Sequence, residues 1–338
     1  MSKDISFATF NLYNLQLPGL HWRQAPYSEE DYAEKISWTA GQLTSLHSDV
    51  IAFQELWSAQ CLKDAFAAAG LDGEYELIFI GDDWYDIAVA AAIRDPWELR
   101  SKTLHKTFDE GFVLKKRGGS RDPEDDEIEV QIDRFSRTVL ELEVGHKDHP
   151  DLPSVHVLCV HLKSKLPTRL DREERDIEAV RKHASALGAA ISTIRRTAEA
   201  AALRVIVNDL LKKSDRPLVV LGDLNDAQLS NTLAIISEQP SYRLFESHRA
   251  GRSSDAGLYS AGILQEFRSL RDVIYTHEYK GVRESLDHVL VSEQFYDHSR
   301  NRLWSFREMK VWNDHLEDDE LASSDHGVVA AYFVYDRP

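Results

Sequence analysis

The sequence predicts an α/β fold in which sheet packs against sheet with helices on the outside. Three observations carry that reading. Short β-rich runs alternate with amphipathic helical stretches, several runs are almost continuously apolar in the manner of buried strands, and no internal repeat or long linker divides the 338 residues. Sandwiches often exceed the usual domain length as one unit, so a single domain over 1–338 is the simplest organisation.

Each element follows from local signals. Residues 5–12, "ISFATFNL", read as a strand, and 29–47 as a helix entered through Ser28, with Glu29, Glu30 and Asp31 in its first turn. "DVIAFQEL" at 49–56 is the next strand, and a helix over 58–69 stops at Gly70. Strands follow at 75–80, 87–93 and 110–116. The stretch 115–129, "KKRGGSRDPEDDEIE", is polar and Gly-containing, which suits an exposed hairpin excursion. Strands resume at 136–144 and 154–162, and 168–213 reads as wholly helical, with Ala179, Val180, Leu187, Ile191 and Ile194 at helical spacing. "PLVVLGD" is a strand and 229–237 a helix. Strand-like runs close the chain at 271–276, 286–292, 304–311 and 327–335.

Composition narrows the function. Hydrophobic residues at 43% and charged residues at 29% describe a globular chain with a sizeable core. A net charge of -17 argues against a surface that grips long nucleic acid by neutralising many phosphates, though a local positive pocket remains compatible with it. Cys61 and Cys159 are too few for a disulfide framework, and Cys159 falls inside the apolar run "VHVLCV". The first residues enter a strand pattern at once, without the regions of a signal peptide, and no apolar run nears the roughly 18 residues that span a membrane. These features predict a cytoplasmic chain with no membrane anchor, and they identify no protein partner.

The chemistry gathers where strands stop. Asn11 follows "FATF", Glu55 ends "IAFQE", His161 ends "VHVLCVH", Asp223 and Asn225 follow "VVLG", Asp287 precedes "HVLVS", and Asp325 with His326 precedes "GVVAAYF". One acid in such a place is more often a capped turn, and one His more often a satisfied core residue. Eight polar residues beside apolar runs are harder to attribute to turns. Lys163, Lys165, Arg169, Arg134 and Arg137 gather near the same strand ends, either paired with nearby acids or lining a cleft. Other motifs carry less. "HKDHPD", with His146 and His149, lacks the Cys or second His pair of a zinc site. "RGGS" lacks the Lys-Ser/Thr ending of a phosphate-binding loop. The aromatics of "LHWRQAPY" and "DDWYD" either border a cleft or pack on their own loops.

In their order, "FNLYNL", "DVIAFQEL", "HLKSK", "GDLND", "LDHVLVS" and "SDHGVVAAYF" resemble the motifs of the endonuclease/exonuclease/phosphatase, or DNase I-like, superfamily, over residues 5–335. The set is most similar to bacterial nuclease-like members, without their secretion signal. It also lacks the second acid of some repair nucleases, Leu12 and Tyr13 standing there instead. The resemblance implies a four-layer αββα sandwich of two mostly antiparallel sheets, a divalent metal, Mg²⁺ or Mn²⁺, and a metal-dependent phosphoester hydrolase. A nuclease acting on phosphodiesters is the leading reading, with short or single-stranded nucleic acid a candidate substrate. The alternatives are a phosphatase or phosphodiesterase acting on a small metabolite or lipid head group, and a catalytically silent binding scaffold. By the same resemblance Glu55, Asn11 and Asp325 hold the metal. Asp223 and Asn225 align water and phosphate, His161 donates to a phosphate oxygen, and Asp287 orients His326. Which of Asp223 and His326 is the base stays open. Hard oxygen donors suit Mg²⁺ or Mn²⁺ independently of any resemblance.

Overall fold

The computed structural model describes residues 2–20, 27–82, 84–118, 127–242, 256–269, 275–317 and 322–336. Strand β1 (Ile5–Leu15) alternates its side chains between two buried faces and leads to α1 (Glu29–Leu46). Ser28 caps that helix reciprocally with Asp31: Asp31 N donates to Ser28 Oγ at 3.1 Å and Ser28 N to Asp31 Oδ2 at 2.9 Å. Then come β2 (Val50–Leu56) and α2 (Ala59–Ala69), which ends where Gly70 takes φ 70°. Strands β3 (Tyr75–Phe79) and β4 (Ala88–Arg94) form an antiparallel pair.

The next strand, β5 (Trp97–Thr107), departs from the sequence reading, which has none there. Its residues "WELRSKTLHKT" are mostly polar because it is an edge strand with an exposed face, so the hydrophobic signal of a strand is absent. The strand expected at 110–116 shrinks to β6 (Leu114–Lys116), which pairs with β7 (Ile128–Val130) as the base of the expected hairpin. Lys115 Nζ meets Glu129 Oε2 at 2.6 Å there, while the tip, 119–126, lies outside the described residues. Long strand β8 (Arg134–His146) and β9 (Val155–His161) follow.

The helical stretch also differs from expectation. It begins at Arg172 and is interrupted at Ile177 and again at Lys182 and His183, giving α3 (Arg172–Asp176), α4 (Glu178–Arg181) and α5 (Ala184–Leu211). Ile177 is extended (ψ 117°), and Gly188 lies inside α5 rather than at a break. Leu187, Ile191 and Ile194, whose spacing suggests a buried face, are 41%, 42% and 50% exposed, because only the second half of α5 packs on a sheet.

Strand β10 (Leu218–Asp223) and helix α6 (Asn231–Ser237) stand close to their expected places. β11 (Tyr259–Ser260), α7 (Ala261–Arg268) and a hairpin of β12 (His277–Tyr279) and β13 (Val282–Glu284) were not foreseen. Lys280 and Gly281 turn that hairpin with φ 53° and 77°, the conformation of a two-residue loop that matches strand twist. Of the strand expected at 271–276, residues 271–274 lie outside the described residues, and Tyr275 and Thr276 are not in a strand. β14 (Asp287–Val291), β15 (Trp304–Trp312) and β16 (Val328–Tyr335) complete the order.

Two six-stranded sheets result, ordered β15-β16-β1-β2-β4-β3 and β11-β14-β10-β9-β8-β5. Each is mostly antiparallel with one parallel pair, β1 with β2 and β9 with β10. Between them lies an apolar layer including Phe7, Ala52, Val157, Leu221, Val289 and Phe333. α5 and α6 cover the outer face of the second sheet through Leu203, Val207 and Leu233 on Leu158, Val160 and Val220. α1 and α2 cover the first through Leu43, Leu62 and Phe66 on Phe10, Ile51 and Phe53. These are the four αββα layers. Cys61 and Cys159 are buried free thiols.

Candidate active site

The parallel pairs decide where the site forms. β1 beside β2 and β9 beside β10 bring four strand ends to one edge, and antiparallel β14 adds its first residue there. In register Asn11 lies beside Gln54, and Asp223 has His161 on one side and Asp287 on the other. Gly222 makes this possible. Its φ is 143°, and a Cβ there would stand 1.9 Å from Val160 O, so only glycine lets β10 approach β9 just before Asp223.

The backbone is strained at the same edge. Tyr13, Asn14, Glu55 and Asn225 all take left-handed φ values, between 48° and 59°. The ladders of β1 and β2 shift register at 11–15 and of β2 and β4 at 53–56. Such conformations persist where surroundings over-determine them, and they concentrate at functional sites. Here the bulges turn Glu55 toward Asn14, whose N donates to Glu55 Oε2 at 3.0 Å.

All eight residues singled out at strand ends lie in this cluster. Asn225 is folded against Asp223, its N donating to Oδ1 and its Nδ2 to Oδ2, both at 2.8 Å, with Nδ2 also 3.1 Å from Leu162 O. Asn11 Nδ2 donates to Asp223 Oδ2 at 3.3 Å, and Tyr13 N to Asn11 Oδ1 at 3.0 Å. His161 Nε2 stands 3.4 Å from Asp223 Oδ2 and 4.0 Å from Glu55 Oε1. Across from them, His326 Nδ1 and Asp287 Oδ2 are 2.8 Å apart, with side chains 8% and 0% exposed. Asp325 is exposed at the mouth. The turn carrying it is tied down by Ser324 Oγ, which donates to Asn11 O at 2.8 Å and accepts from His326 N at 3.0 Å.

Burial and mutual charge set the protonation states. Burial, then Asp325, raises the Glu55 carboxyl. Asp223 is pushed up to about 7, chiefly by burial and by the acids Asp287 and Glu55, against the opposing charge of His326. Burial depresses His161 well below the ordinary histidine value, and the neighbouring Arg137 adds to it. Burial would depress His326 too, but Asp287 and Asp223 override it and hold that imidazole well above its ordinary value. Two buried histidines are thereby pushed in opposite directions, His161 toward its neutral form and His326 toward its charged form.

Other side chains complete the surroundings. Lys35 of α1 is buried; its Nζ donates to Ser323 O at 3.1 Å and lies 5.3 Å from the Tyr13 ring. Burial lowers it to about 8, resisted by Asp325 and Glu55. Its position on the face of Ile36, Thr39 and Leu43 was a readable signal, since a lysine there must be buried. Glu199 of α5 is wholly buried and replaces ladder bonds where β8 and β9 diverge: it accepts from Ser136 N and Lys163 N at 2.8 Å each and from Ser136 Oγ at 2.5 Å. No sequence signal separates it from the exposed acids around it. His277, on the unforeseen hairpin, stacks obliquely on His326 with ring centroids 5.1 Å apart.

The flanking cations divide. Lys165 pairs with Glu284 at 2.8 Å, exposed Arg134 pairs with Asp133, and Arg169 is exposed. Arg137, whose Nη1 donates to Leu162 O at 3.3 Å, and Lys163, lowered to about 8 by burial and then Arg137, act electrostatically on His161. His146 spends its ring nitrogens on Ser2 O and Asp148 N, and no group of metal-ready atoms forms around it among the described residues. Of the loop aromatics, Trp57 carries Tyr85 at 5.3 Å and donates to Asn14 Oδ1 at 3.1 Å; residues 21–26 and 83 lie outside the described residues.

The donor set fits a hard divalent ion. Glu55, Asn11 and Asp325 offer only oxygen to a metal, carboxylates repel one another there, and the buried Asp287 Oδ1 beside them has no hydrogen-bond partner among the described residues. A histidine pushed toward its neutral form, one pushed toward its charged form, an acid raised to about 7 and a set of oxygen donors are groups of the kind that phosphoryl transfer can use for positioning and charge.

Solved structures share this architecture. An endonuclease/exonuclease/phosphatase from Bacteroides vulgatus superposes with TM-score 0.56 at 14% identity, over 99% of this chain and 100% of that one. A mannosyl-6-phosphatase from Bacteroides thetaiotaomicron matches with TM-score 0.56 at 15% identity, over 98% and 100%. Humanized D. rerio TDP2 matches with TM-score 0.55 at 13% identity, over 98% and 99%. No curated protein sequence matches the chain. The family model described as Endonuclease/Exonuclease/phosphatase family matches residues 8–326, and this chain belongs to that family, whose members are metal-dependent phosphoesterases.

Proposed function

We propose that the chain hydrolyses a phosphodiester bond with Mg²⁺ or Mn²⁺ and engages few phosphates, as a nuclease of short or single-stranded substrates would. The observation that carries this is the buried Asp287–His326 pair, 2.8 Å apart, facing an Asp223 carboxyl that buried neighbours keep near neutrality. Glu55, Asn11 and Asp325 would hold the metal through their oxygen atoms. It would supply positive charge to neutralise the phosphate and to favour the ionised form of the acids around it.

The other roles belong to the chain's own groups. Asp223, poised near neutral pH, takes the proton of the attacking water, and Asn225 fixes its carboxylate through two 2.8 Å bonds. His326, held cationic by Asp287, donates Nε2–H to a phosphate oxygen and strengthens that bond as charge grows. In this reading Asp223, rather than His326, is the base. His161, neutral, donates from Nε2 on the opposite side, and Arg137 with Lys163 adds positive potential.

Those two cations also suit a dianionic monoester, the second reading. A panel of phosphomonoesters, phosphodiesters and oligonucleotides, assayed with EDTA, Mg²⁺ and Mn²⁺, tests the proposal. Diester cleavage restored by metal is expected. Full activity in chelator, or monoester turnover alone, refutes it.

A further inference from the structure

We propose that His277, Asp325 and His326 form a second metal site, selective for a borderline transition ion such as Zn²⁺, whose occupation silences hydrolysis. One potential ligand atom from each of the three residues lies within 4.8 Å of the other two. Backbone contacts hold the two histidines together: His277 and His326 form an antiparallel bridge, and Gly327 N donates to Thr276 O at 2.7 Å. Asp287 Oδ2 occupies Nδ1 of His326, which leaves Nε2 as the ligand atom. A carboxylate behind a histidine is the usual outer support of a metal-bound imidazole, fixing tautomer and ring angle.

Donor chemistry separates this site from the one at Glu55. Glu55 and Asn11 offer oxygen alone, which suits Mg²⁺ or Mn²⁺. Two imidazoles and one carboxylate suit Zn²⁺ and its transition-metal neighbours instead. Three protein ligands leave a fourth position for water, and Asp325 is exposed on that side. Zn–N bonds of about 2.0–2.1 Å require the donors to draw somewhat closer. His277 sits on a short two-stranded hairpin, and the Asp325 side chain is exposed.

Occupation has a direct consequence. Zn²⁺ takes the lone pair of His326 Nε2, the proton carried there passes to solvent, and the donor to phosphate is lost. It also draws Asp325 away from the Glu55 side. The inhibition rests on the function proposed above, whereas zinc binding does not.

The test uses the full chain with Mg²⁺ saturating, titrated with Zn²⁺ by calorimetry and in the ester assay, as wild type and as His277→Phe and His277→Gln. The wild type should bind one Zn²⁺ and lose turnover in step. Both variants should keep Mg²⁺-supported turnover within threefold while their zinc dissociation and inhibition constants rise at least tenfold. Two variants guard against one that misfolds, checked by melting temperature. No zinc binding, equal zinc affinity in folded variants, or a zinc-loaded enzyme that still turns over overturns the proposal. Equal inhibition of all three chains would put zinc at Glu55 instead. If no ester is hydrolysed, the proposed function fails while calorimetry still decides the site.

Discussion

Replacing Asp287 by Asn isolates one electrostatic contribution. The amide keeps an oxygen that accepts from His326 Nδ1, so geometry is preserved while the charge is removed. The pair is 2.8 Å apart with side chains 0% and 8% exposed, so solvent cannot take over the role of the carboxylate. Opposite charges about 4 Å apart at an effective dielectric near 20 interact by about 4 kcal/mol. If His326 acts as a cation in the transition state, most of that is lost, and kcat should fall about 10²- to 10³-fold with KM little changed. The protonation state gives a second readout. Asp287 is the largest influence holding His326 above its ordinary value, so Asp287→Asn should lower that titration and move the alkaline limb of kcat to lower pH. Steady-state kinetics across pH, with histidine NMR titration, measures both. Turnover within threefold of wild type, or an unmoved His326 titration, refutes the reasoning.

Three further outcomes are expected. Gly222→Ala should destabilise by about 3 kcal/mol or more, since its Cβ would overlap Val160 O at a φ alien to alanine; near-native melting would mean that β9 and β10 can separate. Glu141, bonded to His105 at 2.8 Å and His156 at 3.1 Å, is held down at about 2 by these histidines against its burial. A depressed acid stabilises the fold above its unfolded value of about 4.5 and loses that stabilisation as pH falls toward 2, so Glu141→Gln should cost up to about 3 kcal/mol at pH 7 and little at pH 2 by denaturant melts. On an inactive Asp223→Ala chain, oligonucleotide affinity should fall with salt with a slope of about one to three phosphates, because few cations, Arg137, Lys163 and Lys35 among them, act on the cluster; a slope of about six or more would reveal an extended track.

The sequence by itself determined the strands and helices whose signals are local. α1 is legible because Ser28 caps it before an acidic first turn, α2 because Gly70 ends it, and β9 and β10 because they are mostly apolar runs. It also singled out the eight polar residues of the cluster, since each interrupts an apolar run at a strand end. What it could not supply was anything decided by neighbours distant in the chain. β5 was invisible because an edge strand needs no apolar face, and Leu187, Ile191 and Ile194 misled because periodicity records a face without saying whether anything covers it. Only the tertiary structure decided that His161 is pushed toward its neutral form and His326 toward its charged form. Identical side chains in similar burial differ because Arg137 acts on one and Asp287 on the other, and those partners come from segments distant in the chain. Glu199, Lys35 and His277 joined the surroundings of the cluster for the same reason, through contacts that no local pattern in the chain encodes.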